Sequence, residues 1–185
     1  MKQKNARPSP SPSHADLEKT SAPQPGGQAA DKVVAMDVLK KLRIVIRAAQ
    51  RHSAWIEKQC GISGAQLWVL QELHDSPHLR VGDIARKLAI HQTTTSNLLE
   101  ALQRRGYIIK ARDPNDQRAV TLMLSEEGAA LLERAPKPSR GLLPEALGKL
   151  DESGLRQLDL GLQALLEVID KVDEAHALQP LPFTM

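Results

Sequence analysis

The stretch from Val81 to Leu124 leaves its backbone few options. Two amphipathic patterns, about Val81–Leu88 and Gln92–Arg105, are separated only by Ala89, Ile90 and His91. In the first, Ile84, Ala85 and Leu88 fall on one face, and Asp83 sits in the first turn, where the helix dipole favours a carboxylate. Gly106 closes the second pattern at the position that prefers left-handed backbone. Two strand-like runs follow, Tyr107–Arg112 and Ala119–Leu124, joined by the turn Asp113-Pro-Asn-Asp-Gln-Arg118. Helix, tight turn, helix and hairpin in that order predict a winged helix-turn-helix.

The second helix carries the functional signal. Ile90, Leu98, Leu99 and Leu102 anchor it to a core, and Ala85 is small where the two helices must cross. Gln92, Thr93, Thr94, Ser96 and Asn97 remain as short polar side chains at its N-terminal end. Hydroxyls and amides there can reach base edges and phosphates while the positive helix end faces the backbone of a duplex. A Thr/Ser-rich first turn alone would be read as a cap; the hairpin behind it favours double-stranded DNA. Arg112 ends the first strand, and Arg118 closes the turn, where a guanidinium could enter a narrow minor groove. Asp113 and Asp116 either hold Arg118 or simply make the turn.

The flanks read differently. Residues 1–30, rich in Pro, Ser and Gln, have almost nothing apolar to bury and are expected to be a disordered tail. Residues 61–134 form the expected DNA-binding domain. In it Ser63 and Gln66 read as a capping box, Ile62 and Leu67 as its hydrophobic staple, and Ser125 caps a helix running to about Arg134. Residues 31–60 and 142–175 carry apolar stripes that a small winged domain cannot cover alone, so they are assigned to a helical homodimerisation region. The expected last helices cover about Pro144–Leu150 and, after the cap Asp151, Gly154–Ala175. The fold class is thus mainly α with a small β-hairpin wing, flanked by N- and C-terminal dimerisation helices.

Composition removes rival classes. Aromatic residues are 2% of 185, which argues against stacking folds for single-stranded nucleic acid. One cysteine allows no internal disulfide, and neither a transmembrane run nor a signal peptide is evident, so a cytoplasmic protein without membrane partners is expected. Residues 80–118 hold eight basic and four acidic side chains, whereas 125–175 hold six and eleven. The basic stretch would attract phosphates.

From about Gly61 to Gly128 the chain resembles the MarR family of winged-helix transcriptional regulators. The resemblance rests on Ile84-Ala-Arg-Lys-Leu88, on the run from Gln92 to Gly106, and on Asp113-Pro-Asn-Asp-Gln-Arg-Ala119 followed by Leu124-Ser-Glu-Glu-Gly128. It implies a homodimer on a palindromic operator and repression relieved by a small effector, typically an aromatic anion. Two features depart from the family pattern: the long Pro-rich tail, and Pro136 and Pro138, which break a helix that is often continuous.

Other chemistry has little support. No phosphate loop, nucleophile elbow or metalloprotease motif is present, so no catalytic residues, cofactor or enzyme activity are expected. The histidines lack tight metal spacing, and no metal site is assigned. Cys60 reads as a small buried apolar residue, with a cysteine-based redox sensor as the alternative. An effector-independent DNA-coating or interaction protein is a further alternative. For an effector pocket, His52, Trp55 and Trp68 on neighbouring helices are possible walls for a flat ring, which core packing explains equally well. Arg51, Arg80 and His52 are the cations considered for a ligand carboxylate.

Overall fold

The computed structural model describes residues 25–112, 120–170 and 172–185, with side chains from residue 30 onward. The expected tail over residues 1–24 and the wing-tip residues Asp113, Asp116 and Arg118 lie outside the described residues. The chain divides into two compact units, Met1–Leu42 and Arg43–Met185.

The described part of the first unit belongs to helix α1, Pro25–Cys60. This helix begins six residues before the Asp31 expected from the periodicity, so residues 25–30 are helical and not tail. Proline at a first helical position loses nothing by lacking an N–H, because that donor has no intrahelical acceptor. Val33, Val34, Met36, Val38 and Leu39 of this unit are exposed.

The second unit follows the predicted order. Its helices are α2 (Gly64–Asp75), α3 (Val81–Leu88), α4 (Gln92–Arg104), α5 (Glu126–Arg134), α6 (Leu142–Leu147) and α7 (Glu152–Glu167). Strands β1 (Ile108–Arg112) and β2 (Val120–Leu124) pair antiparallel, with Ile108 opposite Leu124 and Arg112 opposite Val120. Leu79 adds a bridge to the hairpin, its carbonyl accepting from Leu122 N at 2.9 Å. Ile56, Ile62, Leu67, Leu70, Leu73, Ile84, Leu102, Ile108 and Leu131 are shielded almost completely from solvent. Aliphatic side chains from six elements thus make one core, as the aromatic-poor composition requires.

Local chemistry sets the boundaries. The capping box at α2 is present: Ser63 Oγ accepts from Gln66 N at 3.3 Å, and Gln66 Oε1 accepts from Ser63 N at 3.0 Å. Ser125 Oγ accepts from Gly128 N at 3.0 Å and donates to the Gly106 carbonyl at 2.6 Å, tying the start of α5 to the end of α4. Gly128 is needed there. A Cβ at that position would sit 2.1 Å from the Tyr107 carbonyl oxygen.

Two helices differ from expectation. α6 spans Leu142–Leu147 and not Pro144–Leu150, because Pro144 fits within a first turn whose N–H groups have no partners. α7 stops at Glu167 and does not reach Ala175. The amides of Val168 and Ile169 donate three residues back, to Leu165 and Leu166, which tightens and ends the helix. β-branched Val168 and Ile169 followed by Asp170 supply weak helix propensity at that point. Asp173 then caps a 3₁₀ turn, Glu174–Leu178, its side chain accepting from Ala175 N at 3.0 Å.

Candidate nucleic-acid interface and ligand cavity

The α3–α4 turn is tight because Ala89 adopts left-handed backbone, with φ of 53° and ψ of 44°. That conformation ends α3 and lets His91 precede α4 after two residues. Asp83 steadies the start of α3 by accepting from Arg80 N at 3.1 Å, and it pairs with Arg86. The Arg80 amide, the Arg86 hydrogen bond and the two nearby cations hold its carboxyl below the usual range.

On α4 the polar residues divide by face. Thr95 is fully buried, and its hydroxyl donates to the His91 carbonyl at 3.0 Å. Gln92, Thr93, Ser96 and Asn97 are exposed, and Thr94 is half-buried. Ser96 Oγ donates to the Gln92 carbonyl at 2.9 Å, which leaves its lone pairs to accept. The first turns of α4 therefore present a short-chain polar surface, held from beneath by Leu98, Leu99 and Leu102. Arg112 is exposed at the outer end of β1.

A second feature adjoins the α3–α4 turn, within the unit Arg43–Met185. A cavity of about 490 Å³ is walled by Ala49 and Ser53 of α1, by α2, the α3–α4 turn, residues 140–147 and residues 176–184. Trp68, Ile90, Leu143, Leu181 and Phe183 make it chiefly apolar, and Arg140 and His176 are the ionisable groups among its walls. Its size and lining suit a small organic ligand.

Of the three aromatic residues considered for such a pocket, only Trp68 lines it. His52 Nε2 is 3.0 Å from the Pro138 carbonyl, and its ring meets the edge of Trp55 at a centroid distance of 6.0 Å. Trp55 is itself 49% exposed. The cation at the cavity is Arg140, not Arg51, Arg80 or His52. No local pattern marks Arg140, since its partners are some 65 residues away in sequence.

Arg140 belongs to a polar cluster built around the buried carboxylate of Glu72. Glu72 is 4% exposed and accepts from Arg140 Nε at 2.7 Å, Lys87 Nζ at 3.1 Å and Trp68 Nε1 at 3.0 Å. Arg140 also pairs with Asp75. Burial opposes ionisation of Glu72, but hydrogen bonds from Arg140, Lys87 and Trp68 outweigh it and hold its carboxyl below the usual range. The cluster links α2, the end of α3 and one cavity wall.

Cys60 is buried, and burial pushes its thiol pKa up, with Arg134 offsetting part of the rise. His74 pairs with Asp75, and His78 Nδ1 lies 3.3 Å from the Thr121 hydroxyl. Among the described residues no group of histidine, cysteine and carboxylate side chains could hold a metal ion. No described helix is long and apolar enough to cross a membrane.

Comparison with known proteins agrees with this architecture. A family model described as MarR family matches residues 61–119. The organic hydroperoxide resistance transcriptional regulator of Bacillus subtilis is 30% identical over 108 residues, covering 58% of this chain and 72% of that protein. The transcriptional repressor NicR of Pseudomonas putida is 29% identical over 119 residues, covering 62% and 75%. Across such curated regulators the chain spans 60–80% of their length. Among solved structures, the S. aureus MepR–DNA complex superposes with a TM-score of 0.50 at 23% identity, over 70% of this chain and 96% of that one, and shares the fold. The sequence match and the helix-turn-helix with its hairpin agree: the chain belongs to the MarR family of winged-helix transcriptional regulators.

Proposed function

We propose that the protein is a homodimeric repressor that binds a palindromic DNA operator and releases it when a small aromatic anion occupies the cavity. The observation that carries the DNA reading is the division of α4: Thr95 is turned into the core, while Gln92, Thr93, Ser96 and Asn97 face outward with Thr94 at the margin. These five residues read base edges and phosphates, Arg112 adds a backbone contact, and Arg118 at the wing enters the minor groove with Asp113 and Asp116 supporting it. The P. putida relative's name as a repressor supports the direction of regulation.

The dimer reading rests on apolar surface. Leu155, Leu158, Leu162, Leu165 and Leu166 of α7 are each at least 40% exposed, and Ile44, Val45 and Ile46 of α1 are similarly open. Exposed apolar stripes of this length mark association surfaces. A second copy of the chain covers them. A redox mechanism through Cys60 is disfavoured, because a buried thiol with a raised pKa supplies little thiolate.

Selection from random duplexes followed by gel-shift titration tests the function. A palindromic consensus should emerge, and Thr94→Ala or Asn97→Ala should weaken its binding by about 1–3 kcal/mol per lost base contact. Binding that is sequence-blind and only salt-dependent would identify a DNA-coating protein instead. Aromatic acids added to the complex test release, and light scattering at micromolar concentration tests the dimer.

A further inference from the structure

Residues 173–185 do more than follow α7. His176, Leu181 and Phe183 form one side of the cavity, and Phe183 is the chain's single phenylalanine. Thr184 packs at the start of α2, where a Cβ on Gly64 would lie 3.7 Å from Thr184 Cβ and 3.8 Å from its carbonyl oxygen. On its other flank, the Leu178 carbonyl accepts from the His91 backbone N–H at 2.8 Å. His91 is the residue from which α4 starts. A single short segment thus touches both the ligand cavity and the helix-turn-helix turn.

The way the segment is held also matters. Its backbone bonds are local 3₁₀ turns: His176 N to Asp173 O, Gln179 N to His176 O and Thr184 N to Leu181 O. Among the described residues, the His91–Leu178 bond is its one backbone hydrogen bond to the rest of the fold. Leu178 and Leu181 are nearly half exposed. Few long-range bonds and partial exposure describe an element that opens at low free energy compared with the core.

We propose that residues 173–185 are a roof that closes over a ligand in the cavity and transmits its presence to α4 through the Leu178–His91 bond. This rests on the reading of the cavity as the effector site. The cavity keeps about 490 Å³ with the roof in place, room for a one- or two-ring aromatic, so the roof is a wall and not a plug. A bound ring adds contacts to Phe183 and Leu181 and so favours the docked roof. By linkage, the factor by which a bound ligand favours the docked roof is the factor by which docking the roof tightens the ligand. The apolar lining suits a flat ring, and Arg140 at its edge, with Nε on Glu72 and one terminal nitrogen on Asp75, has its other terminal nitrogen to offer an anionic substituent.

The full chain tests this with anilinonaphthalene sulfonate, an aromatic anion that fluoresces in apolar cavities, and with hydrogen exchange at the His91 amide. Phe183→Ala should weaken dye binding about tenfold, the loss expected from part of one phenyl contact. It should also speed exchange at His91 about tenfold while core amides and circular dichroism stay unchanged. Phe183→Leu should restore both, and Met185→Ala, at an exposed site outside the cavity wall, should alter neither. In the parent protein, dye should slow exchange at His91. Unchanged His91 exchange in Phe183→Ala, or no effect of bound dye on that amide, would overturn the roof. Absence of dye binding to the parent protein would overturn the cavity assignment. Failure of every aromatic acid to release operator DNA, with the exchange results as expected, would remove the effector reading alone.

Discussion

Glu72→Gln isolates the buried carboxylate of the cluster without changing its shape. In the parent, Glu72 Oε1 accepts from both Trp68 and Arg140, and Oε2 accepts from Lys87. An amide oxygen can keep the Trp68 and Arg140 bonds, but the second becomes an ion–neutral bond, about 1 kcal/mol weaker. The amide nitrogen then faces Lys87, donor against donor, at a site where the side chain is only 5% exposed. A buried donor without an acceptor costs about 1–3 kcal/mol. Lys87 and Arg140 are each about 40% exposed, so both can turn toward water, and the low end of that range applies. The expected loss is about 2 kcal/mol at pH 7.

The pH dependence follows from the lowered carboxyl pKa. Stability from a depressed carboxylate is present above its unfolded pKa, about 4.3 for Glu, and is lost as pH falls through the folded value. The glutamine does not titrate, so the gap between parent and variant should shrink between about pH 5 and pH 3. Urea unfolding at one fixed protein concentration measures both, with concentration held because association contributes to stability. A loss below about 0.5 kcal/mol at pH 7 would refute the cluster's energetic role. A gap that persists unchanged to pH 3 would refute its ionic origin.

Gly128→Ala should cost more than about 3 kcal/mol or abolish folding, since its Cβ would overlap the Tyr107 carbonyl at 2.1 Å; soluble yield and thermal melting read this. Thr95→Val keeps the shape but removes the hydroxyl bond to His91 O, and should cost about 1 kcal/mol in urea unfolding with no change in the exposed face of α4. Cys60 should react with a thiol reagent at least about tenfold more slowly in the folded protein than in urea at pH 8, because burial limits both access and thiolate. Equal rates would show that the end of α1 is open. Arg118→Ala should lower operator affinity and flatten its salt dependence by about one counterion per subunit, which salt-titrated gel shifts can measure.

The helix-turn-helix was legible because its information is local. Ile84, Ala85 and Leu88 at helical spacing, the box of Ser63 and Gln66, and Gly106 after α4 each act within a few residues. The same holds for the face of α4, where alternation between Leu98 and Asn97 separates inside from outside. Element ends were less legible. The expected tail ran through Pro25 and the short helix was expected to open at Pro144, yet α1 opens at Pro25 and α6 two residues before Pro144, and the run to Ala175 masked the tightening at Val168 and Ile169.

Of the cavity, the sequence pointed to one wall, Trp68, and misplaced His52 and Trp55. Trp55 and Trp68 look alike in the sequence, but one faces solvent and the other a cavity wall. Arg140 meets Glu72 across 68 positions, and Leu178 meets His91 across a comparable span. Sequence periodicity fixes which face of an element is buried, because neighbours three or four apart share that face. It does not say which distant element covers that face. That choice depends on how the packed helices fill space together, and here only the tertiary structure made it, bringing Phe183, Arg140 and Trp68 around one cavity.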